Sequence, residues 1–254
     1  MGCEKMKEKE LVLLLSKDSN YITEVGKGKL HTRDGIFDLN DLKKKKFGDK
    51  TKTHLGKEFK IVKPTITDVL EKKLKRLPQI MMPKDIALIL ACTGVSPGSL
   101  IVDAGTGSGF LVIFLASYIK PGKIVTYEDD KRFVKVAREN IKNSGLSKFI
   151  KLKQKDITKG IDERNVDLIT LDMKNSEKVV KHVHKALKPG GYLVVYSPYI
   201  EQVIAVTKEI EKKGFFNIKT VENIVREWQV EKYTRPKTVG LMHTGFLTFA
   251  RKVD

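Results

Sequence analysis

Three glycines at alternate positions, Gly105, Gly107 and Gly109, follow an apolar run ending in an acid, Leu100-Ile101-Val102-Asp103-Ala104, and precede a second apolar run from Phe110. That order predicts a buried parallel strand, a turn whose backbone can touch a ligand, and the first turn of a helix. A second apolar segment, Lys123 to Tyr127, then delivers Glu128 to the same edge, where a carboxylate can accept both hydroxyls of a ribose. The chemistry in view is the binding of a nucleotide cofactor. The dinucleotide fingerprint Gly-x-Gly-x-x-Gly requires glycine at position 110 so that a pyrophosphate meets the helix, and this chain has Phe110 there. Pyrophosphate is disfavoured.

Two further acids fall where a cofactor needs them. Asp156 follows the strand through Leu152 and can accept a hydrogen bond from an adenine amino group. Asp172 ends the strand Val166 to Leu171, beside the crevice in which open α/β sheets bind ligands; its alternative role is to cap the helix that follows. The five histidines, His31, His54, His182, His184 and His243, form no catalytic pair by spacing. Trp228 reads as a packing residue. Cys3 and Cys92 lack the spacing of a metal site or a disulfide framework.

The elements that must position these residues alternate regularly from Pro83 onward. Pro83 suits a first helical position, Asp85 the first turn, and Gly94 the end of that helix. The motif strand starts near Ser99. Helix Gly109 to Ile119, strand Lys123 to Glu128, helix Asp130 to Lys142, strand Phe149 to Gln154 and strand Val166 to Leu171 follow. After them come helix Ser176 to Leu187, strand Tyr192 to Tyr196 and helix Ile200 to Lys213. Asn217 to Arg226 and Gly240 to Ala250 read as a β pair able to close the sheet antiparallel. The expectation is an α/β domain with a largely parallel, Rossmann-like sheet.

Before that domain the pattern differs. Short apolar runs at Leu11 to Leu15, Tyr21 to Val25, Lys29 to Thr32, Gly35 to Asp38 and Phe59 to Val62 predict a small β domain over residues 1–65. A helical linker over 66–82, capped at Thr67 or Asp68, leads to the large domain at 83–254. The chain carries 49 Lys and Arg against 31 Asp and Glu, a formal charge of +18. Such an excess points to a polyanionic partner, and it concentrates between Lys43 and Arg76, including Lys43-Lys44-Lys45-Lys46, in what reads as a loop. No apolar run approaches the roughly 20 residues that span a bilayer, and Leu11 to Leu15 is too short for a signal-peptide core. A cytoplasmic protein is expected.

The acid-x-Gly-x-Gly-x-Gly spacing resembles motif I of the class I S-adenosylmethionine-dependent methyltransferases. More discriminating segments are Pro78-Gln79-Ile80-Met81-Met82-Pro83-Lys84-Asp85, Leu171-Asp172-Met173, Tyr196-Ser197-Pro198-Tyr199-Ile200-Glu201-Gln202-Val203 and His243-Thr244-Gly245-Phe246-Leu247. Together they resemble the tRNA adenine-N1 methyltransferases of the TrmI type, archaeal branch, from about Gln79 to the end. That resemblance implies methyl transfer to N1 of adenosine in the T-loop of tRNA, at position 58 and, in archaeal members, also 57, by a homotetramer without a metal. It places Met81, Gly105, Thr106, Gly107, Ser108, Gly109, Phe110, Glu128, Asp156, Ile157 and Asp172 around S-adenosylmethionine, and Asp172 and Tyr196 at the target base. Some bacterial relatives carry an aromatic residue where this chain has Met82. Neutral adenine N1 holds a lone pair and no proton, so its attack on a methyl carbon needs no general base, which suits an aspartate without a histidine partner. The alternatives are a methyltransferase of the same fold acting on another substrate, and a non-catalytic tRNA-binding subunit. Intact Gly105, Gly107, Gly109, Glu128 and Asp172 argue against the latter.

Overall fold

Period-two alternation along Lys50–Lys52 and Glu58–Val62 sets one face inward and leaves the lysines outside. The computed structural model describes residues 6–77, 80–238, 240 and 242–254; Cys3, Pro78 and Gln79 lie outside them. Strands β1 (Leu11–Leu15), β2 (Asn20–Glu24), β3 (Lys29–Thr32) and β4 (Gly35–Asp38) match the expected runs to within one residue. A four-residue helix α1 (Leu39–Leu42), capped by Asp38, follows, then β5 (Lys50–Lys52) and β6 (Glu58–Val62). β2-β1-β6-β5 form an antiparallel sheet and β3-β4 a separate hairpin.

Thr51, Phe59 and Ile61 point into the core with Val12, Leu14, Phe37 and Leu42, whereas Lys50, Lys52 and Lys60 are exposed. β5 was illegible in sequence because its one inward residue, Thr51, sits between lysines. Helix α2 (Ile66–Lys72) starts earlier than its expected caps. Thr65 is the cap, and Asp68 returns the bond to the Thr65 amide, a capping box. The chain divides into two units between Leu74 and Lys75, so α2 belongs with the first.

The second unit is built on alternating helices and strands. Helix α3 (Pro83–Thr93) has proline in its first turn and ends at Gly94 in the left-handed region. Then come β7 (Leu100–Ala104), α4 (Phe110–Ile119), β8 (Lys123–Glu128), α5 (Lys131–Asn143), β9 (Ile150–Gln154) and β10 (Val166–Leu171). The expected helix from Ser176 is broken into a single 3-10 turn, Ser176–Lys178, and α6 (Val180–Ala186). β11 (Leu187–Ser197) begins five residues before the expected Tyr192, because Leu187 pairs with Val166 ahead of a register shift.

Helix α7 (Ile200–Lys212), β12 (Phe216–Glu222), a short hairpin β13 (Trp228–Gln229) with β14 (Arg235–Pro236), and β15 (Phe246–Arg251) complete the unit. Trp228, expected to pack, is 55% exposed on that hairpin.

The seven-stranded sheet has the order β12-β15-β11-β10-β7-β8-β9. β11, β10, β7, β8 and β9 run parallel, and β15 lies antiparallel between β11 and β12, closing the sheet as the β pair predicted. Val102, Ile169, Leu171, Leu193 and Val195 are buried in its core. Among the described residues, no helix is long and apolar enough to cross a membrane.

Candidate active site

Register alone assembles the site. Ala104 pairs with Tyr127 on one side and Leu171 on the other, and Leu171 pairs with Val195. The next residues, Gly105, Glu128, Asp172 and Tyr196, therefore stand in one row at the carboxyl edge, where Gly105 and Asp172 leave the sheet and Glu128 and Tyr196 are still paired. Glu128 is itself opposite Gln154 on β9, with Asp156 two residues beyond. This is the crevice in which open α/β sheets bind ligands.

The glycine turn is held from below. Gly105, Gly107 and Gly109 have φ of 85°, 53° and 83°, a region that favours glycine. The Gly105 amide donates to the Tyr127 carbonyl (3.1 Å), and the Gly109 amide to that of Thr106 (2.8 Å). Asp103, the acid of the motif, does not reach the crevice. It is 1% exposed, accepts from Thr126 Oγ1 (2.6 Å) and Thr170 Oγ1 (2.7 Å), and burial pushes it up to about 6. Thr106 likewise turns its hydroxyl inward, onto Thr126 and the Tyr127 carbonyl. Its side chain braces the turn.

Glu128 is oriented by three amides: Oε1 accepts from Asp129 and Asp130 (3.1 Å each) and Oε2 from Gly107 (3.0 Å). A carboxylate oxygen takes about two hydrogen bonds, so the open acceptor capacity lies on Oε2. Asp156 caps the 3-10 turn at Ile157 through Oδ1, accepting from the Thr158 hydroxyl (2.7 Å) and amide (2.8 Å), which holds it below the usual carboxylate range and leaves Oδ2 without a hydrogen bond among the described residues. Met81, Ser108, Phe110 and Ile157 are buried.

Ser108 joins the glycine turn to the preceding chain: its Oγ accepts from the Leu77 amide (3.1 Å). Beside it, the fully buried Asn140 donates to the carbonyls of Ser108 and Lys75 (2.9 Å each) and accepts from the Lys75 amide (2.9 Å). Sequence reading missed Asn140, since a lone polar residue on an amphipathic helix carries no such signal.

Asp172 is the group left reactive. It caps no helix; Asn175 precedes the next turn. Its amide donates to the Ala104 carbonyl (2.9 Å), while no hydrogen bond engages its half-buried carboxylate among the described residues. Desolvation, then the negative charges of Asp103 and Glu128, push it up to about 7. An ordinary unfolded aspartate titrates near 3.9. Between those limits the folded chain binds more protons here than the unfolded one, so this group makes stability fall as pH rises from about 4 to about 7. Asp172→Asn is therefore expected to melt above wild type at pH 8, by on the order of 2 kcal/mol once its partial exposure is allowed for, with the gap closing towards pH 4. Equal melting at both pH values would show that Asp172 is not desolvated.

At the other end of the row, Tyr196 is half-buried and donates its hydroxyl to the Thr244 carbonyl. Burial, then Asp85 and Asp172, push the phenol up to about 12. His243 presents Nδ1 to Glu222 (2.5 Å) and Nε2 to the Pro198 carbonyl (3.1 Å), and is raised above the usual histidine range mainly by Glu222. Asp85 is the first-turn acid expected of α3, and it is also 1% exposed and bonded to Lys84 and Thr244.

Comparison with known proteins fits this geometry. The family model for the tRNA methyltransferase complex GCD14 subunit matches residues 60–242. The chain belongs to that family. It is 36% identical to the tRNA (adenine(57)-N(1)/adenine(58)-N(1))-methyltransferase TrmI of Methanocaldococcus jannaschii, over 94% of each protein. Among solved structures it is similar to a SAM-dependent O-methyltransferase of Thermotoga maritima, with a TM-score of 0.89 and 33% identity over 98% of this chain and 95% of that one. The tRNA (m1A58) methyltransferase TrmI of Aquifex aeolicus gives a TM-score of 0.82 and 26% identity over 99% and 100%. The fold of this GCD14-family chain is that of the S-adenosylmethionine-dependent methyltransferases.

Proposed function

We propose that this protein transfers a methyl group from S-adenosylmethionine to N1 of adenine in the T-loop of tRNA, at position 58 and also 57. The observation that carries the cofactor is the row Asp156, Glu128, Asp172 at one sheet edge, with no cation paired to any of them among the described residues. Such an edge repels a pyrophosphate and suits a nucleoside bearing a positive charge. When bound, S-adenosylmethionine supplies an electrophilic methyl group on a sulfonium. Gly105 to Gly109 would give the backbone approach, Glu128 would hold the ribose hydroxyls, Asp156 the adenine amino group, and Met81, Phe110 and Ile157 would provide the apolar walls.

On the substrate side, Asp172 accepts a hydrogen from the exocyclic amino group of the target adenine and favours the positive charge that develops on the ring. Tyr196 forms the neighbouring wall. The substrate follows from the Methanocaldococcus and Aquifex relatives, whose names specify adenine N1 of tRNA. The Thermotoga structure, named for O-methylation, keeps a hydroxyl acceptor as the second reading. Nucleoside mass spectrometry of tRNA incubated with the protein and S-adenosylmethionine decides between them. N1-methyladenosine is expected; methylation only of a hydroxyl, another base or the adenine amino group would overturn the proposal. A homotetramer is part of the same reading and is checked by light scattering.

The first unit supplies the grip on phosphate. Its lysines divide by environment: Lys43, Lys50, Lys52, Lys57 and Lys73 are paired with acids, and Lys45 donates to the Lys50 carbonyl. Lys44, Lys46, Lys60 and Lys63 are exposed without an ion pair among the described residues. Replacing these four by alanine is expected to lower tRNA affinity and to take roughly 0.7 to 0.9 from the log-log salt slope for each phosphate that is no longer neutralised. Cofactor affinity stays unchanged. An unaltered slope would show a merely solvated face.

A further inference from the structure

Three of the segments singled out in the sequence converge on one part-buried network that neither cofactor binding nor Asp172 explains. Lys84 and Asp85 open helix α3; Thr244 and Gly245 precede β15; Tyr196 lies near the end of β11. Lys84 Nζ donates to Asp85 Oδ1 (2.8 Å), to Thr244 Oγ1 (2.7 Å) and to the Asn223 carbonyl. Thr244 Oγ1 donates in turn to Asp85 Oδ2 (2.8 Å), and Asn223 Nδ2 returns a bond to the Lys84 carbonyl (2.8 Å). The Thr244 carbonyl then accepts the Tyr196 hydroxyl.

The next residue closes the clamp. A Cβ on Gly245 would stand 2.5 Å from the Tyr196 ring and 2.7 Å from its hydroxyl, so only glycine lets the backbone lie against the phenol. Asp85 is 1% exposed and the Lys84 side chain 15%. A buried ion pair is weak evidence for stabilisation, because desolvation offsets the attraction, so a pair this enclosed calls for another use. Here all three Lys84 donors and both Asp85 oxygens are engaged, and their bonds outside the pair hold two loops, at Asn223 and Thr244, the second of which accepts the Tyr196 hydroxyl.

We propose that Lys84, Asp85 and Thr244 are positioning residues for the methyl transfer: through the Thr244 carbonyl and Gly245 they fix the Tyr196 ring as a rigid wall beside Asp172. This rests on the functional reading above. Tyr196 is then a wall and not an acid or base, since its only proton is committed to a backbone carbonyl. Adenine N1 must meet the methyl carbon in line, and a misplacement of about 1 Å can cost on the order of 10²-fold in rate. A tyrosine free to swing would leave the target ring free to tilt.

The test uses the full-length protein, uniformly labelled with 3-fluorotyrosine, with the Tyr196 resonance assigned through Tyr196→Phe. Thr244→Val keeps the shape and removes the hydroxyl. It is expected to lower the single-turnover rate at saturating tRNA and S-adenosylmethionine by about 10- to 100-fold. Both affinities should stay within about twofold of wild type, and the Tyr196 resonance should move or broaden. Thr244→Ser should restore rate and resonance together. A wild-type rate in Thr244→Val, an unmoved resonance, or a failure of serine to rescue would each overturn the inference. Asp85→Asn is read by the same rate and resonance criteria if Thr244→Val does not fold. A wild-type protein inert towards tRNA, with its resonance still dependent on Thr244, would overturn the functional reading instead.

Discussion

Asp172→Ala is expected to slow single-turnover methyl transfer by on the order of 10²- to 10³-fold, the scale on which one preorganised electrostatic group contributes. The structure gives the reason. The carboxylate stands at the strand ends without a hydrogen-bond partner among the described residues, pushed up to about 7 by desolvation and by its acidic neighbours. Such a group gains most when a positive charge develops beside it, and the product ring is cationic. Binding of tRNA, spread over many phosphates, should change much less. Since Asp172 also borders the proposed cofactor pocket, the comparison is made at saturating S-adenosylmethionine. A saturated rate that survives with only cofactor affinity reduced would make Asp172 a binding residue. The wild-type rate should rise with pH as the carboxyl ionises, and the acidic limb should vanish in Asp172→Asn, which keeps the shape but cannot ionise.

The edge that carries this chemistry was legible because strand, glycine turn and acid recur in order. The run Leu100 to Ala104, the alternate glycines and Glu128 have one economical arrangement, and the sheet adopts it. Legibility ended where a residue's role depends on partners far away in the chain. Asp103 reads from sequence as part of a cofactor motif, yet its carboxylate is consumed by Thr126 and Thr170, on the strands either side. Thr106 belongs to the same motif and turns inward for the same reason. Asp85 fits a helix start by local rules, while Thr244, 159 residues later, claims it. In the first unit the lysines hid β5, since a three-residue edge strand with one inward side chain has almost no apolar signature.

Gly105→Ala should be the most damaging single-methyl change in the glycine turn. Its φ of 85° alone costs a non-glycine residue roughly 1–2 kcal/mol. The added carbon would also stand 1.9 Å from the Asp172 carbonyl oxygen and 2.7 Å from its carbon. That obstacle is backbone, tied to β7 by the Asp172 amide on the Ala104 carbonyl, so it cannot swing aside as a side-chain tip would. Overpacking of this kind costs typically about 1–3 kcal/mol more. Relief requires β7 and β10 to part at the point where Asp172 is placed, so stability and cofactor affinity should fall together, the latter by on the order of 10²-fold. Gly107→Ala is the control. Its φ is 53°, but among the described residues the added carbon meets only the Gly105 carbonyl oxygen at 3.9 Å, so the protein alone should lose only the backbone part of the cost. Thermal melting without ligand and calorimetry with S-adenosylmethionine separate the two. If Gly107→Ala keeps most of its stability yet loses cofactor affinity, the ligand itself approaches position 107. If Gly105→Ala melts with wild type, the tight junction between the glycine turn and Asp172 is not a feature of the folded protein, and the site built on it fails.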